Sequence, residues 1–349
     1  MKIGELDTPA LVVDLDRLQA NIDRLQGYLD KYGIANRPHI KTHKTPQIAQ
    51  MQLAAGAAGI TCQKIGEAEV MADAGCSDIF LPYNIVGEAK LARLAALARR
   101  VKLSLTADSA FTVQGYARTA QEAGIELEVL VEFDSGLGRC GVQTPQEAAE
   151  LALQIANAPN LRFVGLMTFP GNAYCDRFVQ ETRVLLRTDG IPVDRISYGG
   201  TPTMWQAHER SEVTEYRAGT YIYGDRAIVR SGAMALDQVA LHVIATVVSR
   251  PTGDRAILDA GSKTLSSDLS GLDGYGLILE YPDARIHKTS EEHGFVDLSR
   301  CAQKPQIGER VTIVPNHVCV VVNLFDEVFG ARGVVTEVIW PVAARGKMR

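Results

Sequence analysis

The chain has no stretch of about 18 consecutive apolar residues, so a membrane-spanning helix of ordinary length is excluded. Basic residues are not in excess: 36 Lys and Arg stand against 41 Asp and Glu, a net charge of −5. A nucleic-acid partner, which needs a basic face, is therefore not expected. Cysteine is sparse. None of Cys62, Cys76, Cys140, Cys175, Cys301 and Cys319 forms a C-x-x-C pair, and apart from Cys319 they read as buried thiols. The G-x-G-x-x-G phosphate fingerprint of dinucleotide-binding folds is missing. No low-complexity segment or long linker is visible, and the first residues carry no apolar signal core, so a cytoplasmic location is expected.

What is present is enough apolar sequence for a sizeable core. The 349 residues are 46% hydrophobic and 22% charged, ordinary for a soluble two-domain protein. Short apolar runs at 39–41, 59–61, 78–81, 102–105, 127–132, 163–168, 195–198 and 214–217 read as strands. Amphipathic stretches such as 17–29, 67–74, 88–98, 110–123 and 145–157 read as helices around them. Eight alternating units predict an α/β fold, a (β/α)8 barrel over 16–232. Beyond it, β-branched runs at 239–249, 254–258, 277–280, 310–314, 319–324 and 333–340 predict an all-β domain. The opening run 10–15 is a further strand, so the second domain is read as 1–15 plus 233–349.

Five places could carry chemistry. Lys41 closes the first expected barrel strand, beside Arg37, His43 and Lys44. Neighbouring cations lower a lysine pKa and free its amine for imine formation, although such a string also suits a solvated basic loop. Asp134-Ser135-Gly136-Leu137-Gly138-Arg139-Cys140-Gly141 follows the fifth strand, and Arg139 offers a fork of donors to an anionic oxygen. Ser197-Tyr198-Gly199-Gly200-Thr201 and Arg217-Ala218-Gly219-Thr220 end the last two strands, where barrels commonly hold phosphate. His317 and Cys319 lie in or beside an extended segment, where residues i and i+2 share a face, and imidazole with thiolate suits Zn²⁺. The Glu291-Glu292-His293-Gly294 cluster could add a ligand, an acid/base or a gate.

With these residues in hand, the chain resembles the fold-type III pyridoxal-phosphate enzymes of the D-threonine aldolase and D-serine dehydratase family, relatives of alanine racemase. The segments RPHIKTHK, VEFDSGLGRCGV, SYGGTPT, YRAGTYIYGD, SEEHG and PNHVC carry the likeness, in order and over nearly the whole chain. The resemblance implies that Lys41 holds pyridoxal 5'-phosphate. Arg139 would lie near its ring oxygen, and Tyr174, Ser197, Gly199, Gly200, Thr201, Arg217, Gly219 and Thr220 would complete its site. It places the divalent-metal ligands at His317 and Cys319, with zinc first and manganese or magnesium as alternatives. It also implies a homodimer and D-configured β-hydroxy amino acids as substrates. Aldolases of this family tend to carry Asp at the second metal position and dehydratases Cys, so Cys319 leans toward dehydration.

There is one departure. Asn172 stands where the family usually has a histidine for acid/base work, so either another group, such as His293 or a metal hydroxide, takes that role or the substrate differs from the best-known ones. Retro-aldol cleavage is the alternative. An amino-acid racemase or epimerase, then a non-catalytic cofactor carrier, follow as rivals.

Overall fold

The computed structural model describes residues 1–349. They divide into two compact units. One comprises Met1–Arg24, Thr42–Gln47 and Thr220–Gly346, and the other Leu25–Lys41, Ile48–Gly219 and Lys347–Arg349. The opening strand β1 (Ala10–Asp14) belongs to the first.

The second unit is the barrel of the alanine racemase type. Its eight parallel strands are β2 (Ala35–Asn36), β3 (Ile60–Thr61), β4 (Asp78–Leu81), β5 (Lys102–Ala107), β6 (Leu127–Glu132), β7 (Leu161–Met167), β8 (Arg195–Gly199) and β9 (Glu215–Arg217). They neighbour one another in the order β2-β9-β8-β7-β6-β5-β4-β3. The ring is completed where Ala58 N donates to Asn36 O, Thr61 N donates to Pro38 O, and His39 bridges to Thr61.

The surrounding helices form for readable reasons. Thr144 caps Pro145–Asn157 by accepting from Glu147 N, with Pro145 in the first turn. That helix buries Ala148, Leu151, Ala152 and Ile155, one face at helical spacing. Ser109 caps Ala110–Ala123, which Gly124 ends at φ 61 in the left-handed region.

The first barrel strand differs from expectation. Ladder bonds run through Ala35, Arg37 and His39, whose N–H groups donate to Thr214, Tyr216 and Ala218. Lys41 does not close that strand but sits in the 3-10 turn Ile40–Thr42. Pro38 lacks a backbone N–H, so the ladder rests on the residues before and after it.

The barrel interior is charged where many barrels are apolar. Glu215 is buried and accepts from Arg37 Nε at 2.6 Å, Arg195 at 2.9 Å and Ser197 Oγ at 2.5 Å. Arg37 also pairs with Asp78 at 2.5 Å. Arg217 donates to Ser197 Oγ and to Thr168 O. Burial alone would raise the Glu215 carboxyl, but Arg195 and Arg37 overcome it and hold it at about 2. Burial lowers Arg217 to about 10, against the pull of Glu215.

The first unit is built on a nine-stranded sheet. Its long strand β10 (Leu241–Thr252) pairs antiparallel with β1, with β11 (Arg255–Leu258) and with β15 (Arg310–Val314). Register shifts after Val247 and Ser249 accompany its pairing with β11. Also present are β12 (Leu277–Ile278), β13 (Arg285–Thr289), β14 (Gly294–Asp297), β16 (Glu327–Arg332) and β17 (Val335–Pro341). Strand β1 lies between β10 and β16, as a member of this sheet. No helix is long and apolar enough to cross a membrane.

One expected strand is a helix. Residues 319–324 read as extended because they are β-branched, yet Val318–Val322 is helical with His317 as its N-cap residue. Val318, Val321 and Val322 are its buried residues, an i, i+3, i+4 face that outweighs strand propensity.

Replacing Glu215 by Gln strips the buried counter-charge from Arg195 and leaves Arg37 with Asp78 alone. We expect denaturant unfolding to show a loss of about 3–5 kcal/mol at neutral pH. The Glu215 pKa is depressed in the folded state, so its contribution is complete above the ordinary carboxylate pKa of about 4.3 and is lost as pH falls toward 2. The variant should lack that part of the acid limb.

Candidate active site

In the barrel unit, the candidate residues gather at the C-terminal ends of the strands, where barrel enzymes place their chemistry. Phe169, directly after β7, is the hub. Lys41 Nζ lies 5.8 Å and the Arg139 guanidinium 5.2 Å from the centre of its ring. The turn after β8 closes on the same ring: a Cβ added to Gly199 would meet Phe169 Cδ2 at 3.4 Å, and one on Gly200 would meet Cε2 at 3.6 Å. Gly200 has φ +121, which only glycine adopts readily.

Tyr216 fixes this turn from below. Its hydroxyl donates to Gly200 O at 2.7 Å and shares a 3.1 Å hydrogen bond with Thr203 Oγ1. Because the peptide is planar and trans, Thr201 N–H points away from Tyr216.

A cavity of about 420 Å³ opens beside Arg139, lined also by Gln63, Tyr83, Asn84, Glu132 and Cys140. Burial raises the Glu132 carboxyl, and Arg139, 3.6 Å away, counters that rise.

These donors fit pyridoxal phosphate. An amine, a half-exposed guanidinium, an aromatic face and a bare Gly-Gly turn suit its carbonyl, its phenolic oxygen, its ring and its phosphate, in that order. Ser197 and Arg217 sit lower: both are buried, and they bind each other within the barrel network. Tyr174 is exposed on the first turn of Ala173–Arg187, edge-on to Phe178 and under Arg177.

Asn172 is the N-cap of that helix. Its Oδ1 accepts from Cys175 N and its Nδ2 donates to Ser135 O, so the amide serves the backbone at both ends.

The sheet unit carries the other candidates. His317 Nδ1 lies 3.0 Å from Asp225 Oδ2, and the imidazole also hydrogen-bonds Cys319. The Asp225 and Cys319 bonds raise the His317 pKa to about 10. Cys319 Sγ is 3.2 Å from Thr42 Oγ1 and 3.7 Å from Thr220 Oγ1. These threonines follow Lys41 and Gly219 directly in the chain.

Imidazole and thiol thus share a proton where a borderline-soft cation could replace it, and Nε2 is the ring nitrogen that Asp225 leaves available. The donor set fits a divalent metal with two protein ligands. No group of three or more His, Cys, Asp or Glu converges to supply a closed site. His293 lies exposed at the tip of the β13–β14 hairpin, with its carbonyl accepting from Ser290 N.

Reading the sequence missed Phe169, Tyr216 and Asp225 as site residues. Asp225 closes the quoted string YRAGTYIYGD, so its position was on view, but a lone carboxylate after glycine carries no signal of its partner 92 residues on.

Comparison with known proteins agrees with this geometry. Residues 13–227 match the alanine racemase N-terminal domain, and residues 240–331 match a putative serine dehydratase domain. The chain is 37% identical to D-threonine aldolase of Arthrobacter sp, covering 99% of this chain and 95% of the relative. It is 33% identical to D-threo-3-hydroxyaspartate dehydratase of Delftia sp. (strain HT23), covering 90% and 91%.

The crystal structure of D-threonine aldolase from Filomicrobium marinum superposes with a TM-score of 0.93 at 32% identity, over 99% of this chain and 97% of that one. Structures of the dehydratase include a histidine-to-alanine variant and a cysteine-to-alanine variant, the latter in a metal-free form. The two substituted positions are two residues apart. The chain belongs to the family of D-threonine aldolase and D-hydroxyaspartate aldolases and dehydratases, pyridoxal-phosphate-dependent lyases of D-hydroxy amino acids on the alanine racemase fold.

Proposed function

We propose that this lyase dehydrates a D-configured β-hydroxy amino acid to a 2-oxo acid and ammonia, with a divalent metal at His317 and Cys319. The observation that carries the reading is the hydrogen-bonded imidazole–thiol pair. The same two residue types, at the same spacing, are those substituted in the dehydratase structures.

When bound, pyridoxal phosphate supplies an electron sink for charge at the substrate Cα. Lys41 would hold the cofactor carbonyl through its Nζ and would serve as the general base for the Cα proton. Arg139 would neutralise the ring oxygen, and the bare turn at Gly199 and Gly200 would receive the phosphate beside Thr201. The metal, zinc in the first instance, supplies Lewis-acid polarisation of the β-hydroxyl.

Loss of the Cα proton and the β-hydroxyl is loss of water. The enamine released becomes an imine and takes up water, which gives the oxo acid and ammonia without any redox change. With its amide engaged at both ends, Asn172 offers no base to deprotonate the β-hydroxyl, and that absence favours dehydration over retro-aldol cleavage. A second reading is that cleavage, giving glycine and an aldehyde; the 37% identity to an aldolase over nearly the whole chain supports it.

Product analysis with D-serine, D-threonine and D-3-hydroxyaspartate decides between the two readings. Oxo acid with stoichiometric ammonia is expected, and glycine with aldehyde would replace this proposal by the second. The purified protein should absorb near ~410–420 nm, and Lys41→Ala should remove that band. Chelation should abolish turnover, Zn²⁺ or Mn²⁺ should restore it, and affinity for the ion should rise with pH as the proton shared by His317 and Cys319 is lost. At Gly200, alanine would face both a strained φ and the Phe169 ring, so Gly200→Ala should bind the cofactor at least ~10-fold more weakly, read by absorbance titration.

A further inference from the structure

We infer that Asp225 is the positioning residue of the metal centre: its carboxylate fixes which nitrogen of His317 faces the ion and where the peptide leading to Cys319 lies. This rests on the reading that His317 and Cys319 hold a metal.

Asp225 is fully buried, and both of its oxygens are engaged. Oδ2 lies 3.0 Å from His317 Nδ1 and accepts from Val318 N at 3.1 Å. Oδ1 accepts from Ile228 N at 2.8 Å, capping the short helix Arg226–Arg230. An ionised carboxylate only accepts, so a neutral His317 carries its proton on Nδ1 and keeps its lone pair on Nε2. The same oxygen pins Val318 N–H, the peptide between the two ligands. One side chain therefore sets the imidazole tautomer and the path to the thiol together.

The surrounding backbone makes that side chain rigid. Arg226 N donates to Pro315 O at 3.0 Å, and Ala227 N donates to Asn316 O at 3.2 Å. Arg226 also donates to Asn316 Oδ1 at 2.7 Å, and Asn316 Nδ2 donates to Gly274 O at 2.8 Å. Residues 225–227 thus grip 315–318 at every step, and the ligand motif is held from one side by a single short helix start. A partner that orients the far nitrogen of a metal-bound histidine commonly governs affinity by 10–100-fold.

A helix cap alone would explain only the Oδ1 bond. Asparagine separates the two roles. It caps a helix about as well as aspartate, but it cannot accept on both sides, and its NH₂ would oppose the donors of His317 and Val318.

The test uses holoprotein stripped of metal and titrated with Zn²⁺ against a chromophoric chelator, and then with Co²⁺ to read its ligand-field spectrum. For Asp225→Asn we expect Zn²⁺ binding weakened about 10–100-fold, a changed Co²⁺ spectrum and a melting temperature close to that of the unsubstituted protein. Unchanged affinity and spectrum in that variant overturn the inference. If the variant does not fold, ¹⁵N spectra of histidine-labelled unsubstituted protein decide: Zn²⁺ on Nε2 of His317 with Nδ1 protonated supports it, and Zn²⁺ on Nδ1 overturns it. An unsubstituted protein that binds no Zn²⁺ at all overturns the metal reading itself, a result distinct from these.

Discussion

The Glu215 carboxylate binds Arg37, Arg195 and Ser197 in one buried knot, and through Ser197 it sets Arg217. These groups lie on neighbouring strands, with β9 between β2 and β8, so the knot registers three strands of the ring by direction as well as by distance. Apolar layers would fill the same space with less specificity, since dispersion has no preferred angle. The polar choice has a cost in desolvation, and it ties the strands together by directional bonds. Arg217 and Ser197 are buried in that network, with Arg217 donating to Ser197 Oγ and Thr168 O.

The mouth is organised differently. Phe169 gathers a lysine, a guanidinium and a glycine turn around one ring. An aromatic face stabilises nearby cations modestly and without fixing their protonation. In the sheet unit the logic is reversed. There a buried carboxylate is placed against an imidazole, which suits a ligand whose tautomer must be settled before an ion arrives.

Much of this was legible in the residues. Helices 88–98, 110–123 and 145–157 lie within the bounds their periodicity predicts, and two of them have serine or threonine caps. Strand β6 was equally plain, since Leu127–Glu132 is bounded by turn signals at both ends. Lys41 was located in the chain but not in its element: the ladder ends at His39, and a 3-10 turn follows instead of a strand end. The valine-rich segment after His317 was misread because its composition favours strands, while its buried positions follow a helix. Strand β13 was missed because its exposed, charged alternation resembles loop sequence, and β14 and β16 because each is short and carries a glycine. Asp225 and Phe169 were illegible for a simpler reason. What matters about them is a partner far along the chain, and one sequence records no distances.

Strand β1 has a consequence for how the molecule is made. It pairs with β10 at Ala10–Ile244 and with β16 at Val12–Phe329, both formed from the last third of the chain. During synthesis the ribosome releases β1 first, and every barrel strand follows before either partner exists. An apolar strand with two unpaired edges must therefore wait through the assembly of the whole barrel, a long-range closure of the kind that slows folding and exposes intermediates to association. Its brevity, and Asp14 at its end, limit what else that waiting strand can join.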